Sequence, residues 1–273
     1  MGAGAGVGLL GLTWYAAFHV GFFERADVSV LRGFSGLEHR RHVDSIANAV
    51  ASLCDPRQYV FLCAVPLGIA FARRRAWTLM AIAAILLGAN VTSALLKPLL
   101  AHPRLAEHPL GVGGPAVASW PSGHATAAMA LALCCVLAVP SRWRPLTAAV
   151  GGAFAVGVSY SFLALAWHYP SDALGGFLVA GTWTSLAVAA VLAAQGGPDA
   201  VAIPAQRVSL RTALGPPAAA LAAALLLASA VFVARPHEVV AYAQLHGAFV
   251  AGAAAIAAFG LALATGLMLA LRR

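Results

Sequence analysis

Charge is scarce in this chain: 10% of its 273 residues are Asp, Glu, Lys or Arg, against about 25% in a soluble domain. With 61% apolar residues, that shortage excludes an ordinary water-soluble globule and makes the bilayer the main solvent. Segments of alternating hydrophobicity are missing too, which excludes a β-barrel. The four cysteines form no disulfide framework. Cys63, Cys134 and Cys135 fall inside apolar runs, where a thiol acts as a small filler, and Cys54 lies at an interface with no obvious partner. No Lys or Arg precedes the first apolar run and no good cleavage signal follows it, so it reads as a retained helix rather than a signal peptide. The formal net charge is +8. Its basic residues sit in short loops rather than along one continuous face, which argues against a nucleic-acid partner.

What is present is a series of apolar runs of about 17–25 residues, each long enough to cross a hydrocarbon core of about 30 Å as a helix. The fold class is all-α, a polytopic membrane helical bundle. Eight spans are expected, over residues 3–23, 56–72, 76–100, 121–139, 146–167, 173–194, 216–234 and 247–271. The run 56–72 is short and contains Pro66. Residues 196–210 read as a linker, dividing a six-span core (1–195) from a two-helix C-terminal membrane appendix (211–273). Between the first two spans, residues 24–55 are polar, and Val43, Ile46, Val50 and Leu53 have the spacing of an amphipathic helix lying in the interface plane. Gly151, Gly152, Gly157, Gly175 and Gly176 suit close helix approach. Asn90, polar at membrane depth, is expected to make an interhelical hydrogen bond.

The basic residues set an orientation. With the N-terminus inside, Arg73, Arg74, Arg75, Arg142, Arg144, Arg207, Arg211, Arg272 and Arg273 are inside, accompanied by one acid, Asp199. The inner clusters are short and abut the spans directly. Both termini are then expected to be cytoplasmic.

Three polar groups are brought by this topology to the opposite, extracytoplasmic face. Lys97 ends the third span and Arg104 follows in its loop; Ser122, Gly123 and His124 open the fourth; His168 ends the fifth and Asp172 opens the sixth. Each suits phosphoryl transfer. Lys97 and Arg104 supply positive charge, and a guanidinium can hold two phosphate oxygens at once. The run Trp120-Pro121-Ser122-Gly123-His124 reads as a helix start whose free N–H groups accept an anion, with Gly123 allowing close backbone approach. His168 and Asp172 are four residues apart across a turn. The carboxylate can therefore hold one imidazole nitrogen, fix the tautomer and make the other nitrogen a better nucleophile. His124 is then the candidate acid for the departing alkoxide.

In these motifs the chain resembles the type 2 phosphatidic acid phosphatase family, whose superfamily includes glucose-6-phosphatase and vanadium haloperoxidases. The resemblance covers about residues 3–195. Lys97 to Arg104 keeps the spacing of the family's first motif, Pro121-Ser122-Gly123-His124 is its second intact, and Ser161, His168 and Asp172 keep their places in its third. There are two departures. Leu105 stands where the first motif has proline, which affects loop stiffness, and Phe162 stands where the third has a phosphate-contacting arginine. His102 is a conceivable substitute from the other loop.

The resemblance implies a six-span phosphatase core and an integral plasma-membrane enzyme of bacterial type. Its substrate would be a lipid phosphate or pyrophosphate: polyprenyl pyrophosphate, phosphatidic acid or phosphatidylglycerol phosphate. His168 would be nucleophile, Asp172 its orienting carboxylate and His124 acid and base, with Lys97, Arg104, Ser122 and Gly123 binding the phosphate. No cofactor and no metal are implied, and Asp172 and Glu107 are the only carboxylates expected near the site. Membrane lipids are the other expected partners; the oligomeric state is not encoded legibly. A non-catalytic lipid-phosphate binder or transporter is the alternative, favoured by Phe162, and a phosphatase of soluble phospho-sugars is a third reading.

Overall fold

A computed structural model describes residues 2–37, 42–102, 115–195 and 209–271. Among them it contains eleven α-helices: α1 (Ala3–His19), α2 (Gly21–Ser35), α3 (Val43–Ala51), α4 (Pro56–Ala72), α5 (Ala76–Leu99), α6 (Gly123–Ala138), α7 (Arg144–Ala164), α8 (Pro170–Ala194), α9 (Leu210–Ala234), α10 (Pro236–Leu245) and α11 (Gly247–Ala270). Short 3-10 turns precede α4 and α7. The described residues are helical with no strand, as expected for a membrane bundle.

By length and composition α5, α7, α8, α9 and α11 can each cross a membrane. The expected first span ends early. α1 stops at His19, and the chain turns by 85° into α2, so the two helices make at most one broken span. Glu24, Arg25, Asp27 and Arg32 interrupt the apolar run that α2 would otherwise continue. The helix forms because Val28, Leu31 and Phe34 recur at helical spacing and bury one face. α4 and α6 have 17 and 16 residues, about 25 Å of helix each.

The centre of the bundle is α6, with Ala125–Cys134 largely removed from the surface and α4, α5, α7 and α8 packed around it. α11 lies against α7 and α2, whereas α9 is exposed along most of its length and buries Ala213 alone. α9 begins at Leu210, six residues before Pro216, because the Ser209 side chain accepts a hydrogen bond from the Thr212 N–H (3.1 Å) and starts the helix there. Residues 196–208 of the expected linker lie outside the described residues.

α3 takes the helical form read from its spacing, but through its small residues. Ala47 and Ala51 are buried and the helix packs on α7, while Ile46 and Leu53 face outward. Asn90 makes the expected interhelical bond, donating to the Tyr59 hydroxyl on α4 (3.3 Å) as well as to the Leu86 carbonyl (2.7 Å). All four cysteines are free.

Four of the five glycines noted in the sequence lie at contacts. A Cβ on Gly151 would meet Ala132 at 2.9 Å, on Gly152 Leu261 at 2.9 Å, and on Gly175 the Trp120 indole at 2.7 Å. On Gly176 it would stand 2.7 Å from the Ser122 carbonyl oxygen. Gly157 faces open space. Lipid supplies no hydrophobic drive between helices, so such close approach is what holds them. Substituting Gly176→Ala should therefore destabilise the protein by about 1–3 kcal/mol, the cost of forcing atoms into a packed interior. Gly157→Ala should leave it no less stable; thermal unfolding in one detergent compares the two.

Candidate active site

The ends of α5 and α7 and the starts of α4, α6 and α8 meet at one end of the bundle. At the start of α8, Pro170 supplies a first helical residue that needs no N–H partner, and Asp172 occupies the third position. Its fully buried carboxylate accepts from the Tyr169 N–H at 3.0 Å and pairs with His168 Nδ1 at 3.2 Å. With Nδ1 held, Nε2 is the nitrogen of His168 left for chemistry.

At the start of α6 the Ser122 hydroxyl accepts from the Ala125 N–H (3.3 Å), and the Ser122 N–H donates to the Asp172 carbonyl (2.9 Å). Ser122 is thus committed to holding the two helix starts together. The N–H groups of Gly123 and His124 make no hydrogen bond among the described residues. They are the donors this helix start leaves for an anion. Lys97 Nζ lies 3.6 Å from the point where a Gly123 Cβ would stand, so glycine there keeps the ammonium and the backbone donors together. Lys97 is also the only lysine in the chain.

The His124 and His168 rings are 6.4 Å apart by centroid. Phe162, fully buried, touches both, at 6.3 Å from His124 and 5.0 Å from His168. Trp167 flanks His124 at 5.7 Å. Where a cation would be expected from the family motif, an apolar ring supports the two imidazoles. His102 is exposed and its ring lies against Phe18 and His19 of α1, at 6.1 and 5.3 Å, so it does not substitute for that cation. Arg104 and Glu107 lie outside the described residues.

The reading of the site's carboxylates is corrected by Asp55. This residue precedes Pro56 at the start of α4, and its Oδ1 lies 3.1 Å from His124 Nε2. The signal was available: an Asp beside a span, on the loop that the topology puts at the same end as Lys97 and His124. It was hidden because Asp55 belongs to no recognised motif. A second acid missed in the sequence is Asp27 of α2, buried, which accepts from the Ser171 N–H (3.0 Å) and from the Ser171 hydroxyl, and so caps α8. Cys54 is not a competing nucleophile: burial, and then the adjacent Asp55 charge, push its thiol up to about 12. Among the described residues no three His, Cys, Asp or Glu side chains group as metal ligands.

Residues 76–195 match the family model for the PAP2 superfamily. The match covers less than half of the chain. The match runs from α5 to α8 and so contains Lys97, Ser122, Gly123, His124, His168 and Asp172, but neither Asp27 nor Asp55. No curated protein and no solved structure gave a significant match. This match agrees with the type 2 phosphatidic acid phosphatase resemblance and supports a phosphatase-type function, with several apolar helices fitting an integral membrane protein.

Phe162 departs from the family motif, and its burial makes its role testable. Phe162→Ala should cost about 3–5 kcal/mol of stability, as for a deleted core aromatic. Phe162→Leu should cost much less, and detergent-solubilised melting curves measure the difference.

Proposed function

We propose that the chain is an integral membrane lipid phosphate or pyrophosphate phosphatase acting through a phosphohistidine intermediate. The observation that carries this is the pairing of the two imidazoles. Their rings are 6.4 Å apart, one held by Asp172, beside the Lys97 ammonium and the unbonded N–H groups of α6. They are near enough that a nitrogen of each can lie within about 3 Å of one phosphoryl group.

In the first step His168 Nε2 attacks phosphorus as the bond to the leaving oxygen breaks, and His124 gives that oxygen a proton. In the second, water attacks the phosphohistidine while His124 takes its proton, and the N–P bond breaks. Lys97, Arg104 and the N–H groups of Gly123 and His124, at the helix start that Ser122 holds in place, stabilise the charge on the equatorial oxygens. The chemistry assigns each step to side chains of the chain and asks for no metal.

The substrates proposed are polyprenyl pyrophosphate, phosphatidic acid or phosphatidylglycerol phosphate. Arg73, Arg74, Arg75, Arg142 and Arg144 lie at the opposite end of the helices from the candidate site, which favours cytoplasmic termini and an extracytoplasmic site. An outward site in turn favours recycling of a polyprenyl carrier. The buried Phe162 favours the second reading, a lipid-phosphate binder or transporter that keeps the pocket without turnover.

Phosphate release by the purified protein, measured by malachite green over a panel of lipid phosphates, separates the readings. Wild type should release phosphate from at least one lipid, and His168→Ala should lower the rate by at least about a hundredfold. Equal release from the two proteins would favour the binder. The rate should also survive EDTA; restoration by added divalent metal after a loss would overturn the metal-free assignment.

A further inference from the structure

Asp55 holds a position that an N-cap aspartate rarely leaves unused. It stands in extended conformation immediately before α4, with Pro56 at the first helical position, the setting in which an Asp oxygen ordinarily accepts from the second or third N–H of its own helix. Here its side chain makes no capping bond. The carboxylate turns instead to His124, 69 residues away on another helix, and meets Nε2 at 3.1 Å. A capping bond stabilises a helix start, so the chain forgoes local stabilisation to place a negative charge against this imidazole. Asp55 is 42% exposed and His124 22%, so the pair faces the open side of the site rather than the packed core.

From this we infer that Asp55 is the positioning residue of the candidate acid, His124, doing for it what Asp172 does for His168. The inference rests on the phosphatase reading and deepens it. A carboxylate on Nε2 fixes the ring by that nitrogen and leaves Nδ1 to exchange protons with the reacting oxygens. It also favours the imidazolium, the form in which Nδ1 carries a proton to give. In the first step the P–O bond breaks, its electron pair goes to the leaving oxygen, and the Nδ1 proton goes with it. The ring, now neutral, keeps its Nε2 proton toward Asp55. In the second step the water proton returns to Nδ1 and the imidazolium is restored. The site then contains two histidine–carboxylate pairs with different tasks, one orienting a nucleophile and one orienting an acid. Asp55 lies outside the segment matched by the family model, whereas His124 lies inside it.

The test is the dependence of Asp55→Asn on the leaving group. Asparagine keeps the shape and can still reach Nε2, but removes the charge. On an alkyl phosphate such as phosphatidic acid, whose departing alkoxide needs a proton, kcat should fall about 10- to 100-fold with KM little changed. On p-nitrophenyl phosphate, whose leaving group departs unprotonated, kcat should fall less than about threefold. Asp55→Glu should restore part of the alkyl phosphate rate. In a His124→Ala background the Asp55→Asn change should have no further effect, because residues acting as a unit are not additive. Equal losses on both substrates, or additive losses in the double variant, overturn the assignment and leave a merely structural contact. A wild-type protein that releases no phosphate from any lipid of the panel or from p-nitrophenyl phosphate overturns the phosphatase reading, and this assignment with it. An active wild type whose Asp55→Asn variant keeps full kcat on both overturns the assignment alone.

Discussion

The site depends on one backbone hydrogen bond, from the Ser122 N–H to the Asp172 carbonyl at 2.9 Å. Helix starts leave N–H groups without intrahelical partners, and in an apolar surround each must find one. α6 and α8 solve part of this against each other. Ser122 gives its N–H to the first turn of α8, and the carboxylate of that same turn holds His168. Gly176 lets the two helices approach closely enough for the bond to exist, since a side chain there would meet the Ser122 carbonyl. Among the described residues, what remains unsatisfied at the start of α6 is the pair of N–H groups of Gly123 and His124 beside Lys97.

Lys97 stands beside the backbone donors of the pocket, and Phe162 lies between the two imidazole rings. A buried aromatic ring cannot anchor an oxygen, but it fixes the two imidazoles by contact and keeps water from beneath them, which strengthens every remaining electrostatic interaction.

Much of this was legible in the sequence, and the reasons are local. Span-length apolar runs fix helices whatever surrounds them, and Lys97, His124, His168 and Asp172 sit at helix ends, so connectivity alone put them at one face. Ser122 and Asn90 were readable because a cap and a buried amide have few alternatives. The illegible parts are those where a contact crosses between segments with no periodic signature. The 85° turn after His19 breaks a run whose composition continues past it. α2 hides its apolar face among four charges. Asp27 and Asp55 look like ordinary surface acids until the fold brings Ser171 and His124 to them. Of the pattern in α3, spacing gave the helix, but small alanines rather than the large aliphatics turned inward.

The capping of α8 by Asp27 bears on where the functional unit begins and ends. A fragment trimmed to residues 76–195 would keep each motif residue that the family model covers. It would lose the acid that satisfies the first turn of α8 and the carboxylate that meets His124. It would also lose the α11 surface, where Leu261 closes on Gly152 and Gly260 on Phe177. The matched stretch is shorter than the fold that packs on it, and the flanking helices supply the two carboxylates that reach His124 and the start of α8.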